Sequence, residues 1–543
     1  MPKLIVNSLG CGFINLADKT IFIPKKKING AMNGDIVEYL IENEENNVAS
    51  ITNIIQTVPD YGFVSHIYQG DYVIKTDRKQ YYFSMGSSDL EINDFVKINN
   101  NQILINFGNK DDFNNKIKYI KEKYQVNSSS YQKADGTNLT EEDFEETKRV
   151  DLTGLYTFTI DPTSSKDFDD AISISREEHG FTLGVHIADV SHYIKPNSAL
   201  DIFAKQKMNT VYLNGDTTHM LPSELSNNLC SLVPNELRNA VTVMTDFDKQ
   251  GNIIRYSIFR SKILSKKRYT YQEVRDQIEN QVMDTNIENL YQFIKNKFHG
   301  IDTQYNLPMY NIQLDNQKSP INVEIESYDM SHLMIEKCMI LANEIVAEDL
   351  SNKGALFPYR CHPEPSQEQE EKYLKQKNYS DNNFYQEIIK IKSFKNAYYS
   401  HDNISHFGLD SKKYCHFTSP IRRYTDIIVH RVLLNECTYS KDELDEICQQ
   451  ANELEGNAFK AELELLEMQK DFLIEKDNSQ QPLLVIDVTK YGITVELLNY
   501  YTERKIHISK LSDKRLTFDY NTKRLFNDKD SYSIGQIVNL KIN

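Results

Sequence analysis

Four aspartates, Asp161, Asp167, Asp169 and Asp170, fall within ten residues of one another in Thr159-Ile160-Asp161-Pro162-Thr163-Ser164-Ser165-Lys166-Asp167-Phe168-Asp169-Asp170-Ala171. The flanking residues, 156–160 and 171–174, are β-rich, so the four carboxylates are expected to share one loop between two strands. Carboxylates packed this closely repel each other, and a fold that gathers them needs compensating positive charge. Hard divalent cations such as Mg²⁺ supply it, preferring carboxylate oxygen and retaining waters. Two such ions side by side stabilise both the attacking and the leaving oxygen of a phosphodiester. A solvated acidic loop or a calcium site explains the bare spacing equally well. An EF-hand does not, because the loop has neither the central Gly nor the terminal Glu.

The chain changes pattern on either side of this segment. In residues 1–57, Cys11-Gly12-Phe13-Ile14, Thr20-Ile21-Phe22-Ile23-Pro24 and Asp35-Ile36-Val37-Glu38-Tyr39-Leu40 are short β-runs separated by Gly, Asn and Asp turns, with Lys25-Lys26-Lys27 in a loop between two of them. Rings on strands beside a basic loop suit a small single-strand-binding barrel, where bases stack and lysines hold phosphates. Core phenylalanines and solvated lysines explain that segment, taken alone, at least as well. Residues 58–108 repeat the style and read as a second barrel. Residues 109–145 are polar, helical over 113–124 and then loose, and read as a linker. Residues 146–478 mix strands, over 156–260, with helices over 331–350, 420–435 and from 442 onward. From 479 to 543 short strands return, at 483–488, 493–498, 505–508 and 537–542. The expected fold class is α+β, with two small barrels, a large mixed core and a third small barrel.

Composition narrows the partners. Hydrophobic residues make up 40% and charged residues 26% of 543, enough for real cores. No stretch approaches the roughly 20 apolar residues of a membrane span, and no signal peptide is evident at the N-terminus. Seven cysteines are scattered without a CxxC pair, which argues against a disulfide framework or zinc site and for a reducing, cytoplasmic setting. The net charge of −16 weighs against a protein that coats a polyphosphate from outside. It permits one that threads a single strand into an internal channel with local positive charge. Lys266-Lys267-Arg268, Lys514-Arg515 and Lys523-Arg524 are basic runs available to grip such a strand.

Residues 159–173 resemble the signature of the catalytic domain shared by bacterial ribonucleases II and R and the eukaryotic exosome-associated nuclease. The resemblance continues, in family order, through Val185-His186-Ile187-Ala188-Asp189-Val190-Ser191, Met220-Leu221-Pro222-Ser223-Glu224-Leu225-Ser226, Ile335-Glu336-Lys337-Cys338-Met339-Ile340-Leu341-Ala342-Asn343 and His416-Phe417-Thr418-Ser419-Pro420-Ile421-Arg422-Arg423-Tyr424-Thr425-Asp426. It implies an RNB-type α+β catalytic domain flanked by OB-fold barrels, two N-terminal and cold-shock-like and one C-terminal. It further implies a processive 3′→5′ hydrolytic exoribonuclease that degrades single-stranded RNA to nucleoside 5′-monophosphates. The implied cofactor is Mg²⁺, as two ions, with Mn²⁺ able to substitute. The implied enzyme is a monomer with no membrane and no obligate protein partner. The alternative is an RNA-binding regulator of the same fold with a silent catalytic centre. Two departures stand out: a usual Glu-Glu pair reads Glu336-Lys337, and no long basic tail follows the last barrel, as it does in ribonuclease R, so stalling at duplexes is expected.

By motif position the resemblance makes Asp161, Asp167, Asp169 and Asp170 metal ligands, with Asp169 also catalytic. Arg422 has a physical argument besides. Ser419 reads as an N-cap and Pro420 as the first helical residue, which places Arg422 in a first turn that favours anions. A guanidinium there grips a scissile phosphate in a way lysine cannot copy; a surface ion pair of Arg422 or Arg423 with Asp426 is the plainer reading of an isolated RRxxD. Arg423 is expected to contact RNA. Glu336, in the apolar helix 333–346, is expected to be buried near the RNA 3′ end, accepting from ribose hydroxyls; a structural hydrogen bond explains it equally well. Tyr212 matches the family tyrosine on which terminal bases stack, and Tyr305 is the candidate opposing ring; without the family context both read as core tyrosines. His186, His192 and His430 lack metal-ligand spacing beside the aspartates and read as structural.

Overall fold

Burial with a period of two builds the strands at the start of the chain: along Thr20–Ile23, Ile21 and Ile23 point inward while Thr20 and Phe22 do not. The computed structural model describes every residue except 1, 8–10, 17–18, 45, 78, 85–88, 100, 134–138, 299–308, 327, 478, 513–514 and 542–543. The chain divides into two compact units, Met1–Gln125 with Asp315–Ser319, and Val126–Leu314 with Pro320–Asn543.

The first unit holds two five-stranded sheets. One runs in the order Ile5–Val6, Gly12–Asn15, Thr20–Ile23, Val48–Gln56, Ile36–Asn43, and a bridge from Lys3 to Ile36 returns its last strand to its start. Leu4, Ile14, Ile21, Val37 and Ile51 fill it. The other runs Gln102–Asn109, Asp94–Asn99, Asp60–Tyr68, Asp71–Thr76, Gln80–Ser84 around Val64, Ile74, Val96 and Ile98. Helix Phe113–Lys123 packs on this second sheet, with the Tyr119 ring stacked on Phe95 at 4.2 Å. Within 109–145, the loose connecting chain therefore begins only after that helix.

The second unit is built on a mixed sheet. Its main strands are β1 (Thr157–Asp161), β2 (Asp170–Glu177), β3 (Gly180–Ala188), β5 (Leu237–Asp248) and β6 (Ile253–Thr270), with the two-residue strand Val150–Asp151 parallel to the middle of β6; a short strand, β4 (Val211–Leu213), lies outside it in a two-stranded ribbon. The order is β6-β1-β2-β3-β5, and β5 pairs back onto β6, so the sheet closes. This is possible because β6 is 18 residues long. Its first part pairs antiparallel with β5, and its last part runs parallel to β1, Asp161 opposite Thr270. Four helices complete the frame around the site: α1 (Ala199–Lys207), α2 (Met330–Asn352), α3 (Tyr424–Leu433) and α4 (Lys441–Lys476). Alternate residues of the strands face two cores. Phe158, Ile160, Ile172 and Ile174 pack with Met334, Cys338 and Leu341 of α2. Ala171, Ala188 and Ala240 pack with α1, α3 and α4 through Leu200, Ile427, Ile428 and Leu444.

A polar row crosses this sheet. His186 Nε2 meets Ser173 Oγ at 2.9 Å, its Nδ1 meets Thr242 Oγ1 at 2.8 Å, and Thr242 meets Ser261 Oγ at 2.7 Å, joining β2, β3, β5 and β6. Position 184 must be glycine beside it, since a Cβ there would stand 2.4 Å from Ser173 Oγ and 2.8 Å from His186 Nε2. The row also explains the structural reading of His186.

The helix expected over 420–435 begins later, at Tyr424. Arg423 is extended (φ −134, ψ 121) and bridges to Asn209. The Thr210 N–H donates to Arg422 O at 3.0 Å, and the Tyr424 N–H to Met208 O at 2.8 Å. This long-range pairing overrides the local Ser-Pro helix signal. At the C-terminus a four-stranded sheet (Thr502–His507, Gly492–Leu497, Gln481–Thr489, Ile537–Leu540) and a three-stranded one (Thr517–Asp519, Arg524–Phe526, Ser531–Ser533) share a core with helix Asn383–Ser393 and Ile474 of α4. The α+β class is as expected, and among the described residues no helix is long and apolar enough to cross a membrane.

Candidate active site

Strands β1 and β2 pair with Phe158 opposite Ile172, which brings Asp161 and Asp170 to the same end of a hairpin. Asp161 ends β1 and Asp170 begins β2, so only Asp167 and Asp169 lie in the connecting loop, a correction to the expectation of four loop carboxylates. The loop is fastened at two places. Ser231 Oγ donates to Lys166 O at 2.7 Å and accepts the Phe168 N–H at 3.0 Å. Arg268 of β6 donates to Pro162 O at 2.6 Å and Thr163 O at 2.9 Å, with its guanidinium 4.9 Å from the Phe168 ring centre. Arg268 thus braces the aspartate loop. Of the other basic runs, Lys523 pairs with Asp487 at 3.0 Å, and Lys514 lies outside the described residues.

Burial raises the pKa of Asp161, Asp169 and Asp170 above the ordinary carboxylate range, and neighbouring aspartates add to it. Arg268 opposes this at Asp161, and Arg422 at Asp169 and Asp170. Asp161 Oδ2 is buried without a hydrogen-bond partner. Among the described residues no three His, Cys, Asp or Glu side chains gather closely enough to enclose an ion unaided. The donor set nevertheless fits a hard divalent cation. Mg²⁺ is commonly held by one or two carboxylates, with water and substrate phosphate filling the rest. Asp161 and Asp170 offer such a pair, one oxygen of which has no other partner.

Asp169, almost fully buried, points elsewhere. Its Oδ1 accepts the Ile421 N–H at 2.8 Å, and its Oδ2 lies 3.8 Å from Arg422 Nε. Arg422 stands in an isolated turn ahead of α3, where Ser419 O accepts from the N–H groups of Arg422 and Arg423 at 3.3 and 3.0 Å. The expected helix-N-terminal setting for Arg422 is therefore replaced by this turn. Its side chain is 45% exposed, with Nη2 donating to Ser419 Oγ at 3.1 Å. Arg423, expected to face RNA, turns inward instead: its Nη2 donates to the fully buried Asp426 at 2.8 Å, and the same oxygen accepts the Ser419 N–H at 2.8 Å. Arg423 and Asp426 hold the turn that presents Arg422.

Tyr212, on β4, is 41% exposed. Its hydroxyl donates to Asp167 Oδ2 at 2.8 Å, and its N–H donates to Glu462 Oε1 of α4 at 3.0 Å. Burial raises the Glu462 pKa, opposed by that backbone hydrogen bond and by Arg422. Glu336 departs from expectation: α2 is buried along most of its length, yet the Glu336 side chain is 42% exposed. It accepts from Lys337 Nζ at 3.3 Å and from the Tyr328 hydroxyl. Among the described residues no hydrogen bond or ion pair joins it to the aspartates. A ring stack lies between: Tyr328 and Tyr271 both stack on His332, at 5.5 and 4.0 Å. Tyr271 is near enough to Asp170 and Asp161 that their charges add to the effect of burial in raising its pKa. Tyr305 lies outside the described residues. Sequence reasoning missed the Ile421 amide, Glu462 and Tyr271. A backbone amide carries no sequence signal, and Glu462 is one of many acids on α4.

Comparison with known proteins gives the family and the fold. The family described as RNB domain matches residues 149–438, and that described as Ribonuclease B OB domain matches residues 3–55. Ribonuclease R of Chlamydia muridarum is 36% identical over 405 residues, 67% of this chain and 58% of that protein, so the chain spans less than two thirds of that relative. The structure of Mycoplasma genitalium RNase R in complex with ribose methylated single-stranded RNA is similar at TM-score 0.84 and 26% identity, covering 100% of this chain and 97% of that one. Yeast Ssd1, a pseudonuclease, shares the fold at TM-score 0.75 and 15% identity, covering 96% of this chain and 80% of that one.

Proposed function

We propose, because this chain belongs to the RNB-domain family, that it is a processive 3′→5′ exoribonuclease releasing nucleoside 5′-monophosphates from single-stranded RNA. The observation that carries this reading is the Asp169–Ile421 hydrogen bond of 2.8 Å, which ties the carboxylate loop to the turn bearing Arg422. The anionic and cationic halves of a phosphodiester site are thereby built as one piece.

In this reading Asp161 and Asp170, with Asp167 and Asp169 beside them, hold two divalent cations, Mg²⁺ or its substitute Mn²⁺. When bound, these supply Lewis-acid stabilisation of charge developing on phosphate oxygens. The chain's own residues do the rest. The Tyr212 ring seats a terminal base, since every base has a π-face. Arg422, held at Nη2 by Ser419, with Nε beside Asp169 and its side chain 45% exposed, binds non-bridging phosphate oxygens. Glu336, on the open side of α2, accepts from ribose hydroxyls, which distinguish RNA from DNA. Water adds to phosphorus, the bond from phosphorus to the 3′-oxygen of the preceding nucleotide breaks, and that oxygen leaves as a hydroxyl. The freed nucleotide carries a 5′-phosphate. The same reading makes the protein a cytoplasmic monomer.

The test is to incubate 5′-labelled, unstructured RNA with the protein in EDTA, Mg²⁺ or Mn²⁺ and to identify the released nucleotides. Metal-dependent 5′-monophosphates without long intermediates are expected. Intact RNA that is tightly bound in Mg²⁺ would instead establish a silent RNA-binding regulator; the yeast protein that shares this fold is described as a pseudonuclease.

A further inference from the structure

Strand β4 buries Val211 and Leu213 and turns Tyr212 outward, so the exposed ring is supported from behind. A stacking floor needs only the face of a ring, and phenylalanine would serve as well. The hydroxyl is therefore superfluous to stacking, yet it donates to Asp167 Oδ2 at 2.8 Å. Asp167 Oδ1 accepts from Ser165 Oγ at 3.3 Å, and the backbone on each side of Asp167 is fastened to Ser231. Three anchors thus set this carboxylate, and the phenol is the one carried by an exposed ring. The opposite end of the tyrosine is fixed too, because its N–H donates to Glu462 of α4. A hydrogen bond to an ionised acceptor is among the stronger kinds available.

We propose that the Tyr212 hydroxyl is a positioning group for Asp167, so that the ring seating a base and the loop holding the metal-binding carboxylates form one rigid unit. This rests on the ribonuclease reading above. A seated base presses on the same residue that orients Asp167, and binding and cutting are coupled through a single side chain. Tyr212→Phe separates the two roles because it keeps the ring and removes only the donor.

The experiment compares full-length wild type, Tyr212→Phe, Tyr212→Ala, Asp167→Asn and the Tyr212→Phe/Asp167→Asn pair. The readouts are kcat and KM on an unstructured oligomer, RNA affinity in EDTA, Mn²⁺ binding without RNA by electron paramagnetic resonance, and melting temperature. Tyr212→Phe should lower kcat by about tenfold or more and weaken Mn²⁺ binding, the scale of losing one hydrogen bond to a charged group. Its RNA affinity in EDTA and its limit-product length should match wild type, whereas Tyr212→Ala changes both. In the Asp167→Asn background, Tyr212→Phe should have little further effect on Mn²⁺ binding, because neighbours that act through each other are non-additive. Wild-type kcat and Mn²⁺ binding in Tyr212→Phe, or full additivity in the pair, would overturn the proposal. A wild type that releases no monophosphates in Mg²⁺ would strike instead at the ribonuclease reading, while the Mn²⁺ measurements still decide the role of the hydroxyl.

Discussion

Asp161, Asp169 and Asp170 put more buried negative charge into one place than Arg268 and Arg422 offset, since burial keeps all three pKa values raised. Asp170→Asn should therefore stabilise the metal-free protein, by about 1–3 kcal/mol on the scale of an uncompensated buried polar group. It should also reduce the stabilisation that Mg²⁺ brings to wild type. Melting in EDTA and in Mg²⁺ checks both, and a variant less stable than wild type in EDTA would show that the protein alone balances the charge. Arg422→Lys keeps a cation near Asp169 but loses the planar fork that meets Ser419 and a phosphate in fixed directions; kcat should fall by about 10²–10³, with RNA affinity in EDTA little changed. An unaltered kcat would leave Arg422 as no more than the ion-pair partner of Asp169. The aspartates, Arg422 and Tyr212 were all legible as site candidates because the motif places them. Arg423 was not, since its inward turn depends on Asp426 being buried and on a bridge to Asn209, neither of which local sequence reveals.

Elements were legible where the signal was local and illegible where a distant partner decided. The β-rich runs flanking the aspartates announced β1 and β2, and the apolar run over 333–346 announced α2. The Ser-Pro start proposed for α3 failed because 422–424 pair with 208–210. The row from Ser173 through His186 to Ser261 is another long-range feature, and it has a consequence for pH. Burial pushes the His186 pKa down from 6.5 to about 3, while the unfolded chain retains the ordinary value. The folded state therefore has its full share of stability above pH 6.5 and loses it as pH falls from there toward about 3. His192 and His406, each lowered to about 4 with burial the main cause, steepen the decline. Between pH 7 and 5.5 one such histidine costs about 1 kcal/mol. Urea unfolding of wild type and His186→Gln at both pH values tests this, and equal losses in the two proteins would clear His186 of the effect.

Across the whole molecule the order of small sheets, mixed core and small sheets was readable from strand length and turn residues. Helices Gln367–Lys377 and Asn383–Ser393 were not, the first because it buries no residue and so lacks an apolar stripe. Every residue assigned to hydrolysis lies in the second unit, within two cores of its own. Removing residues 1–125 should leave a folded remainder that cuts short, saturating oligomers at near the full rate. Its affinity for long strands should fall by about 1–3 kcal/mol for each stacked base lost. Single-turnover rates and binding isotherms on the truncated protein decide this, and loss of cutting at saturation would give the first unit a part in the chemistry. The hydrogen bond between Asp169 and Ile421 spans 252 residues of sequence, and β1 waits for the far end of β6 before it has a parallel neighbour. During synthesis the carboxylates leave the ribosome long before the arginine turn does, and contacts so distant in sequence form late. If the proposed ribonuclease reading holds, the messenger under translation is itself a substrate within reach of each nascent copy, and the order of residues along the chain keeps the two halves of the site apart until most of it has been made.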